Sequence, residues 1–232
     1  MYAHESIYEP LVRRVNQLVG ELRQGDPAKD FVDLGAIIFP KQIEVAEKLI
    51  SDAVAKGAEL VCGGKKKEGA GQFFEPTVLA NCNHAMNVMR EEIFGPIVAM
   101  QKVSSEDEAL RLANESHLGL NAYVFTRDRA KGKALAERVE AGSVVVNDIF
   151  VNYAAAEAPF GGVKQSGFGR IHGEDALREM AEMRHVNVDR FPLPHNNPMA
   201  FPYTAKSYGA LSKALRVLFS GRGIVQRISE LF

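Results

Sequence analysis

The sequence predicts an α/β fold, a mostly parallel sheet flanked by helices, followed by a C-terminal helical tail. Three observations carry this expectation. Across residues 1–147, segments with apolar side chains at helical spacing alternate with short β-rich runs, the order of a layered fold around a largely parallel sheet. One of those runs, residues 143–147, holds three consecutive valines, the pattern of a strand buried on both faces. After Arg190 the character changes. Residues 191–202 hold four prolines and two asparagines and read as a linker. A basic amphipathic segment follows, with Leu211, Leu215, Leu218 and Phe219 set among Lys206, Lys213, Arg216 and Arg222.

The elements follow in order. Residues 1–4 read as a short strand. Ser6 is the candidate cap of a helix whose apolar face is Ile7, Leu11, Val15, Leu18 and Leu22, three and four residues apart. Gly25-Asp26-Pro27 ends it. Pro40 opens a second helix with Ile43, Ala46, Ile50 and Ala53 on one face, ending near Gly57. Residues 59–62 form a strand stopped by Gly63-Gly64, and Lys65-Lys66-Lys67-Glu68 is a solvated loop. Strands are expected at 77–79, 97–103 and 121–126, and helices at 106–114, capped by Ser104 or Ser105, and at 128–140. A short helix spans 174–183, and residues 185–189 alternate like a half-exposed strand.

Composition narrows the function classes. With 46% apolar residues, 25% charged residues and a net charge of −1, the chain is ordinary for a globular protein, and nucleic acid is not expected as its main partner. Two cysteines, Cys62 and Cys82, argue against a disulfide framework and suit a reducing cytosol, so the expected location is the cytoplasm. The first residues lack the pattern of a signal peptide, and no apolar run is long enough to span a membrane. No metal-ligand pattern stands out.

Two segments stand out chemically. Glu91-Glu92-Ile93-Phe94-Gly95-Pro96 puts a carboxylate and a phenyl ring two residues apart in a constrained turn. The carboxylate suits the paired hydroxyls of a ribose, and the ring suits a flat heterocycle. A capped turn with a buried Phe anchor is the alternative. Further on, Pro159-Phe160-Gly161-Gly162-Val163-Lys164-Gln165-Ser166-Gly167-Phe168-Gly169-Arg170 combines an aromatic with glycines that let other atoms approach the backbone, an arrangement suited to a chain pressed against a ligand. Gly167-Phe168-Gly169 is not a dinucleotide fingerprint, because the preceding strand and the third glycine are missing; its glycines read as turn geometry.

These motifs resemble the NAD(P)-dependent aldehyde dehydrogenase family over roughly residues 1–190. Glu92 to Pro96 matches its Glu-Ile-Phe-Gly-Pro motif, and Phe74-Glu75-Pro76-Thr77-Val78, Gly119-Leu120, Val124-Phe125-Thr126, Val144 to Asn147 and Pro159 to Gly169 agree in order. The resemblance implies that Glu92 holds the nicotinamide ribose and that Phe94 packs at the nicotinamide end. Gln42 falls where the family has a residue near the cofactor ribose. The loop 148–158 would line the aldehyde tunnel. Ile149, Phe150, Val151 and Tyr153 would make an apolar mouth, and Phe160 would lie close to the substrate; an ordinary surface loop is the alternative. Arg170-Ile171-His172-Gly173 departs from the Arg-Glu of many members and is closer to those acting on fatty and aromatic aldehydes, with His172 read as structural.

The family's chemistry needs a thiolate nucleophile, a Glu general base and an oxyanion donor. Neither Cys62 nor Cys82 matches the nucleophile's motif, which by resemblance falls just before residue 1. No catalytic residue is therefore assigned, and the expectation is a C-terminal part of such an enzyme, inactive alone, with NAD or NADP as cofactor and a hydrophobic aldehyde as substrate of the parent. A non-catalytic oligomerising subunit, or part of a CoA-acylating or acyl-phosphate reductase, are the alternatives. The resemblance implies a partial catalytic domain (1–183) and an oligomerisation-type strand (184–190), and the composition adds a linker (191–202) and a tail (203–232). It implies a homo-oligomer built through residues 185–189. The tail is expected to rest on a membrane surface or to pack on its own or a partner subunit.

Overall fold

A computed structural model describes residues 1–29, 31–69, 71–188 and 201–219. The chain divides into two units, Met1–Glu182 and Met183–Phe232. The first unit begins with β1 (Tyr2–His4) and α1 (Glu5–Gly20), then α2 (Lys41–Ala55), β2 (Glu59–Cys62) and β3 (Thr77–Ala80). After a 3-10 turn at Asn87–Met89 come β4 (Ile97–Ala99), β5 (Gln101–Val103) and α3 (Glu106–Asn114). The series continues with β6 (Leu118–Gly119), β7 (Asn121–Val124), α4 (Arg129–Ala136), β8 (Ser143–Val146), α5 (Val151–Ala154), β9 (Val163–Lys164) and α6 (Gly173–Glu179). The α/β class is as expected. Pairing is parallel for β1 with β5, β3 with β4 and β7 with β8, and antiparallel for β2 with β3 and β6 with β9.

The core forms around β3, whose four residues are all buried. On one side α2 contributes Ile43, Ala46, Leu49, Ile50 and Ala53, packed with Phe74, Leu79 and Met86. On the other, Ala3, Tyr8 and Val12 meet Val78, Ala80 and Met100. Alternate residues of one strand thus serve two helical layers, as the period-2 geometry of a strand requires. The Pro40 start and the Gly57 turn, with Gly57 at positive φ, bound α2 as the sequence indicates.

The first helix departs from expectation. Its cap is His4, whose Nδ1 accepts from the Ser6 amide at 3.2 Å, and Ser6 lies inside the helix. The inward face is Tyr8 and Val12, with Leu11, Val15 and Val19 partly buried, while Ile7, Leu18 and Leu22 are exposed. Two overlapping apolar sets at helical spacing compete in this segment. The deciding contacts are polar: the Tyr8 hydroxyl donates to Met100 O at 3.1 Å and accepts from the Asn81 amide at 2.6 Å.

The single strand expected at 97–103 is two. The chain changes neighbours at the buried Met100, so that β4 pairs with β3 and β5 pairs with β1. The three-valine strand is less buried than expected: in β8 only Val145 is buried, at 6% exposure. Among the described residues β8 pairs with β7 alone. The helices expected at 128–140 and 174–183 end earlier, at Ala136 and Glu179, and Ser105 caps α3 by accepting from the Glu108 amide.

In the second unit, residues 185–188 carry no strand, and Val186 and Val188 are exposed. Alternation of apolar and polar residues does not make a strand without a neighbouring segment to pair its amides and carbonyls. The linker expected at 191–202 lies outside the described residues except for Phe201 and Pro202. In the tail, α7 (Ala205–Phe219) is the expected helix, and residues 220–232 lie outside the described residues. No helix among the described residues is long and apolar enough to cross a membrane.

Candidate functional site

The turn from Glu91 to Pro96 is held at both ends by backbone hydrogen bonds. The Glu91 amide donates to Asn87 O at 2.8 Å, and Pro96 O accepts from the Thr77 amide of the buried strand β3 at 2.8 Å. Ile93 packs against the core beside α2 and anchors the middle. Pinned in this way, the turn leaves Glu92 and Phe94 outside. The Phe94 ring is 64% exposed, so it is not the buried anchor of a structural turn.

Phe94 faces an open hollow of about 540 Å³ that it shares with Gln42, Ile37, Ile38, Phe39 and Gly95. Gln42 stands in the first turn of α2, whose start is fixed by Pro40. Two predicted cofactor residues, Gln42 and Phe94, therefore come together on one surface. Glu92 lies two residues from Phe94, exposed, but does not line the hollow. The sequence reading missed Ile37, Ile38 and Phe39. Their signal was present: three large apolar residues directly before a helix-opening proline, of which Ile38 is 96% exposed. A hollow walled by a phenyl ring and aliphatic groups with one amide at its side suits a flat aromatic ligand bearing hydroxyls.

The second set of predicted residues follows β8. Asp148 organises it: one carboxylate oxygen accepts from the amides of Ile149, Phe150 and Val151 at 2.6, 2.8 and 3.1 Å. These hydrogen bonds, Phe150's foremost, hold the Asp148 carboxyl below its ordinary range. They wind the chain into α5, and Ile149, Phe150, Val151 and Tyr153 are all exposed. Asn152 ties α5 back to the sheet, its amide donating to Asn121 Oδ1 at 2.9 Å and Ser143 Oγ at 3.0 Å.

Tyr153 and Phe160 meet edge to face with centroids 5.2 Å apart, and the His172 ring completes the group at 5.7 Å from Tyr153 and 6.3 Å from Phe160. Phe160 is fixed by reciprocal backbone hydrogen bonds with Ile171 at 2.7 and 2.8 Å. His172 has a positive φ of 66°, and its buried Nδ1 has no partner. Among the described residues no hydrogen bond or ring contact joins this aromatic group to the Gln42–Phe94 hollow.

In the glycine-rich segment the close approach that glycine permits is made to other backbone. A Cβ on Gly142 would stand 1.7 Å from Gly161 O, and one on Gly161 would stand 2.5 Å from Gly169 O. These glycines press backbone on backbone. Gly167 and Gly169 have positive φ, as turn geometry requires. Arg170 closes the fold-back by donating to Gly162 O at 2.9 Å and Gly169 O at 2.7 Å.

Neither cysteine is set up as a nucleophile. Cys82 is buried, its Sγ near Leu79 O and Ala80 O, and burial pushes its thiol up. The half-buried Cys62 has its Sγ 3.8 Å from Pro76 O. Burial outweighs the opposing pull of the Met1 ammonium on Cys82, so its thiol is not activated as a nucleophilic thiol is. Among the described residues no cluster of three His, Cys, Asp or Glu side chains is arranged to hold a metal ion.

A model of the aldehyde dehydrogenase family matches residues 1–186. The 4,4'-diapolycopene aldehyde oxidase of a Methylomonas species is 34% identical over 228 residues, covering 98% of this chain and 42% of that protein. The mitochondrial succinate-semialdehyde dehydrogenase of Mus musculus is 41% identical over 165 residues, covering 71% and 31%. The crystal structure of betaine aldehyde dehydrogenase from Staphylococcus aureus in complex with NAD+ superposes with a TM-score of 0.77 at 33% identity, over 84% of this chain and 39% of that one. The chain thus spans well under half the length of these relatives.

Proposed function

Since the chain belongs to the aldehyde dehydrogenase family, we propose that it forms the cofactor- and aldehyde-facing wall of an NAD(P)-dependent aldehyde dehydrogenase. The observation that carries this reading is the convergence of Gln42 and Phe94 on one hollow, beside a turn that displays Glu92. The reaction converts an aldehyde, NAD(P)+ and water to a carboxylate, NAD(P)H and two protons, through a thioester on a thiolate. The cofactor, when bound, supplies the hydride acceptor. This chain's residues bind and orient. Phe94 flanks the nicotinamide ring, while Glu92 and Gln42 take the ribose hydroxyls. Ile149, Phe150, Val151 and Tyr153 form the apolar mouth, and Phe160 stands behind Tyr153. The thiolate and general base come from residues outside these 232, because Cys62 and Cys82 are held as structural thiols.

Exposed apolar side chains in the substrate loop favour a hydrophobic aldehyde. The relative named for 4,4'-diapolycopene aldehyde supports this, and its similarity extends over 98% of this chain, the tail included. In this reading residues 1–183 are the catalytic part, 185–189 pair with a second copy in a homo-oligomer, and 203–232 are the tail. Three basic and no acidic residues in α7, with Leu215 and Phe219 exposed, suit an anionic membrane surface for that tail. Co-sedimentation with anionic vesicles checks it: binding that survives deletion of residues 203–232 would remove the tail's role.

The cofactor reading is tested by saturation-transfer NMR with NAD+ and the purified chain. Transfer to the nicotinamide protons is expected, with loss in Phe94→Ala and weakening in Gln42→Ala. Absence of transfer in the wild type, or equal transfer in both variants, overturns the assignment. The chain by itself is expected to reduce no NAD+ with any aldehyde. Turnover abolished by alkylating Cys62 or Cys82 would refute the placement of the nucleophile elsewhere.

A further inference from the structure

A second concavity, of about 370 Å³, lies where the segment ending at Arg90 meets the loop after α3. No part of the proposed aldehyde chemistry uses it. One wall is a hydrogen-bonded chain. The Tyr2 hydroxyl is 2.7 Å from His84 Nε2, His84 Nδ1 is 3.2 Å from Glu115 Oε2, and Glu115 also pairs with Arg111. Burial above all pushes the Tyr2 phenol up to about 12, so it remains a neutral hydroxyl. Both ring nitrogens of His84 are engaged, which fixes the imidazole, and the Glu115 charge is met by Arg111 and His84.

The opposite side is different. The Arg90 guanidinium and the His117 ring line the pocket, yet neither makes a side-chain hydrogen bond or ion pair among the described residues. Arg90 follows a 3-10 turn, its amide donating to Asn87 O at 2.9 Å, and the loop that carries Ser116 and His117 is held separately. Lys164 donates to Asn114 O at 2.6 Å and Ser116 O at 3.0 Å, and His117 O accepts from the Gln165 amide at 3.0 Å. The Ser116 hydroxyl oxygen accepts from the Leu118 amide at 3.2 Å, which leaves its own proton to donate. The result is a rigid polar recess with three unspent donor side chains, Arg90, Ser116 and His117, and one carboxylate already paired.

We propose that this recess binds the phosphate group of a small molecule, with Arg90 as the forked donor and His117 and Ser116 completing the grip. A planar guanidinium matches two phosphate oxygens at once, and three donors from two segments suit a tetrahedral oxyanion better than a flat carboxylate. The volume lies inside the range of roughly 300–1,000 Å³ typical of small-molecule sites, so a phosphate ester fits as well as the free ion. Free phosphate and a phosphate monoester share this chemistry, and the experiment separates them.

Isothermal titration of the full chain with glycerol 3-phosphate, inorganic phosphate and acetate tests the site. Saturable binding of a phosphate compound is expected. Arg90→Ala and His117→Ala should each weaken it about tenfold or more, the loss of one charge-assisted hydrogen bond. Arg90→Lys should lose less than Arg90→Ala, and Glu91→Gln, beside the pocket but outside it, should bind like the wild type. Tighter binding of the ester assigns the site to a phosphorylated small molecule; tighter binding of inorganic phosphate assigns it to the free ion. Absence of saturable phosphate binding, acetate bound as tightly as phosphate, or wild-type affinity in Arg90→Ala overturns the proposal. Circular dichroism confirms that each variant is folded.

Discussion

Gly142 and Gly161 lie backbone against backbone: a Cβ built on Gly142 stands 1.7 Å from the Gly161 carbonyl oxygen. The contact joins the lead-in to β8 with the Pro-Phe-Gly-Gly turn that carries Phe160. Gly142→Ala is therefore expected to destabilise the protein by about 1–3 kcal/mol or more, the cost of forcing atoms into a packed site. Gly20→Ala, at a position with nothing within 4 Å, should stay within about 1 kcal/mol of the wild type. Urea unfolding compares the two.

Tyr8→Phe removes the hydroxyl that serves both Met100 O and the Asn81 amide in a site only 1% exposed. The buried Met100 carbonyl keeps only the Cys82 amide, at 3.0 Å, and the part-buried Asn81 amide loses its acceptor. A loss of about 1–3 kcal/mol is expected, against little change for Ile7→Ala on the exposed face. Equal losses would show that the helix presents the other face.

Tyr153 and Phe160 should couple. Edge-to-face rings contribute about 0.5–1.5 kcal/mol beyond their burial, and the exposure of Tyr153 puts this pair at the lower end. A double-mutant cycle to alanine reads the coupling directly, and additive losses would show the rings to be energetically independent.

Asp148→Ala takes the acceptor from three consecutive amides. Hydrogen exchange at Ile149, Phe150 and Val151 is expected to accelerate while exchange in β3 is unchanged. If this loop lines the aldehyde site as proposed, aldehyde affinity of an assembled enzyme falls with it.

Acid should loosen the segment between the first two helices. Asp33 takes hydrogen bonds from the Arg23 guanidinium and then the Arg23 amide, which hold its carboxyl at about 2 instead of 3.8. The folded value is depressed, so this contribution is complete above 3.8 and is lost as pH falls through about 2. Amide exchange at Arg23 and Asp33 followed from pH 5 downward should show it, and Asp33→Asn should remove the dependence.

Local chemistry made some of this legible in advance. Pro40 and Gly57 bound α2 because one fixes φ for a first turn and the other accepts a positive φ beyond the last. The sequence offered Ser104 or Ser105 as the cap of α3, and Ser105 is the one whose hydroxyl accepts from the Glu108 amide. The inward face of α1 was not readable, because Ile7 and Tyr8 each begin an apolar set at helical spacing. The choice was made by Met100 and Asn81, far along the chain. The break at Met100 was equally hidden: a run from Ile97 to Val103 looks continuous until its two halves have different neighbours.

The sequence by itself determined the α/β class, the family and the two segments that form the candidate site, since periodicity and short motifs are local properties of the chain. Tertiary structure decided which of those residues meet. It brought Gln42 and Phe94 to one hollow, paired Tyr153 with Phe160, and set Gly142 backbone to backbone against Gly161. It also gathered His84, Arg90, Glu115 and His117 around a recess, with Tyr2 hydrogen-bonded to His84. Those residues come from three separate stretches, and only packing gives them a common surface.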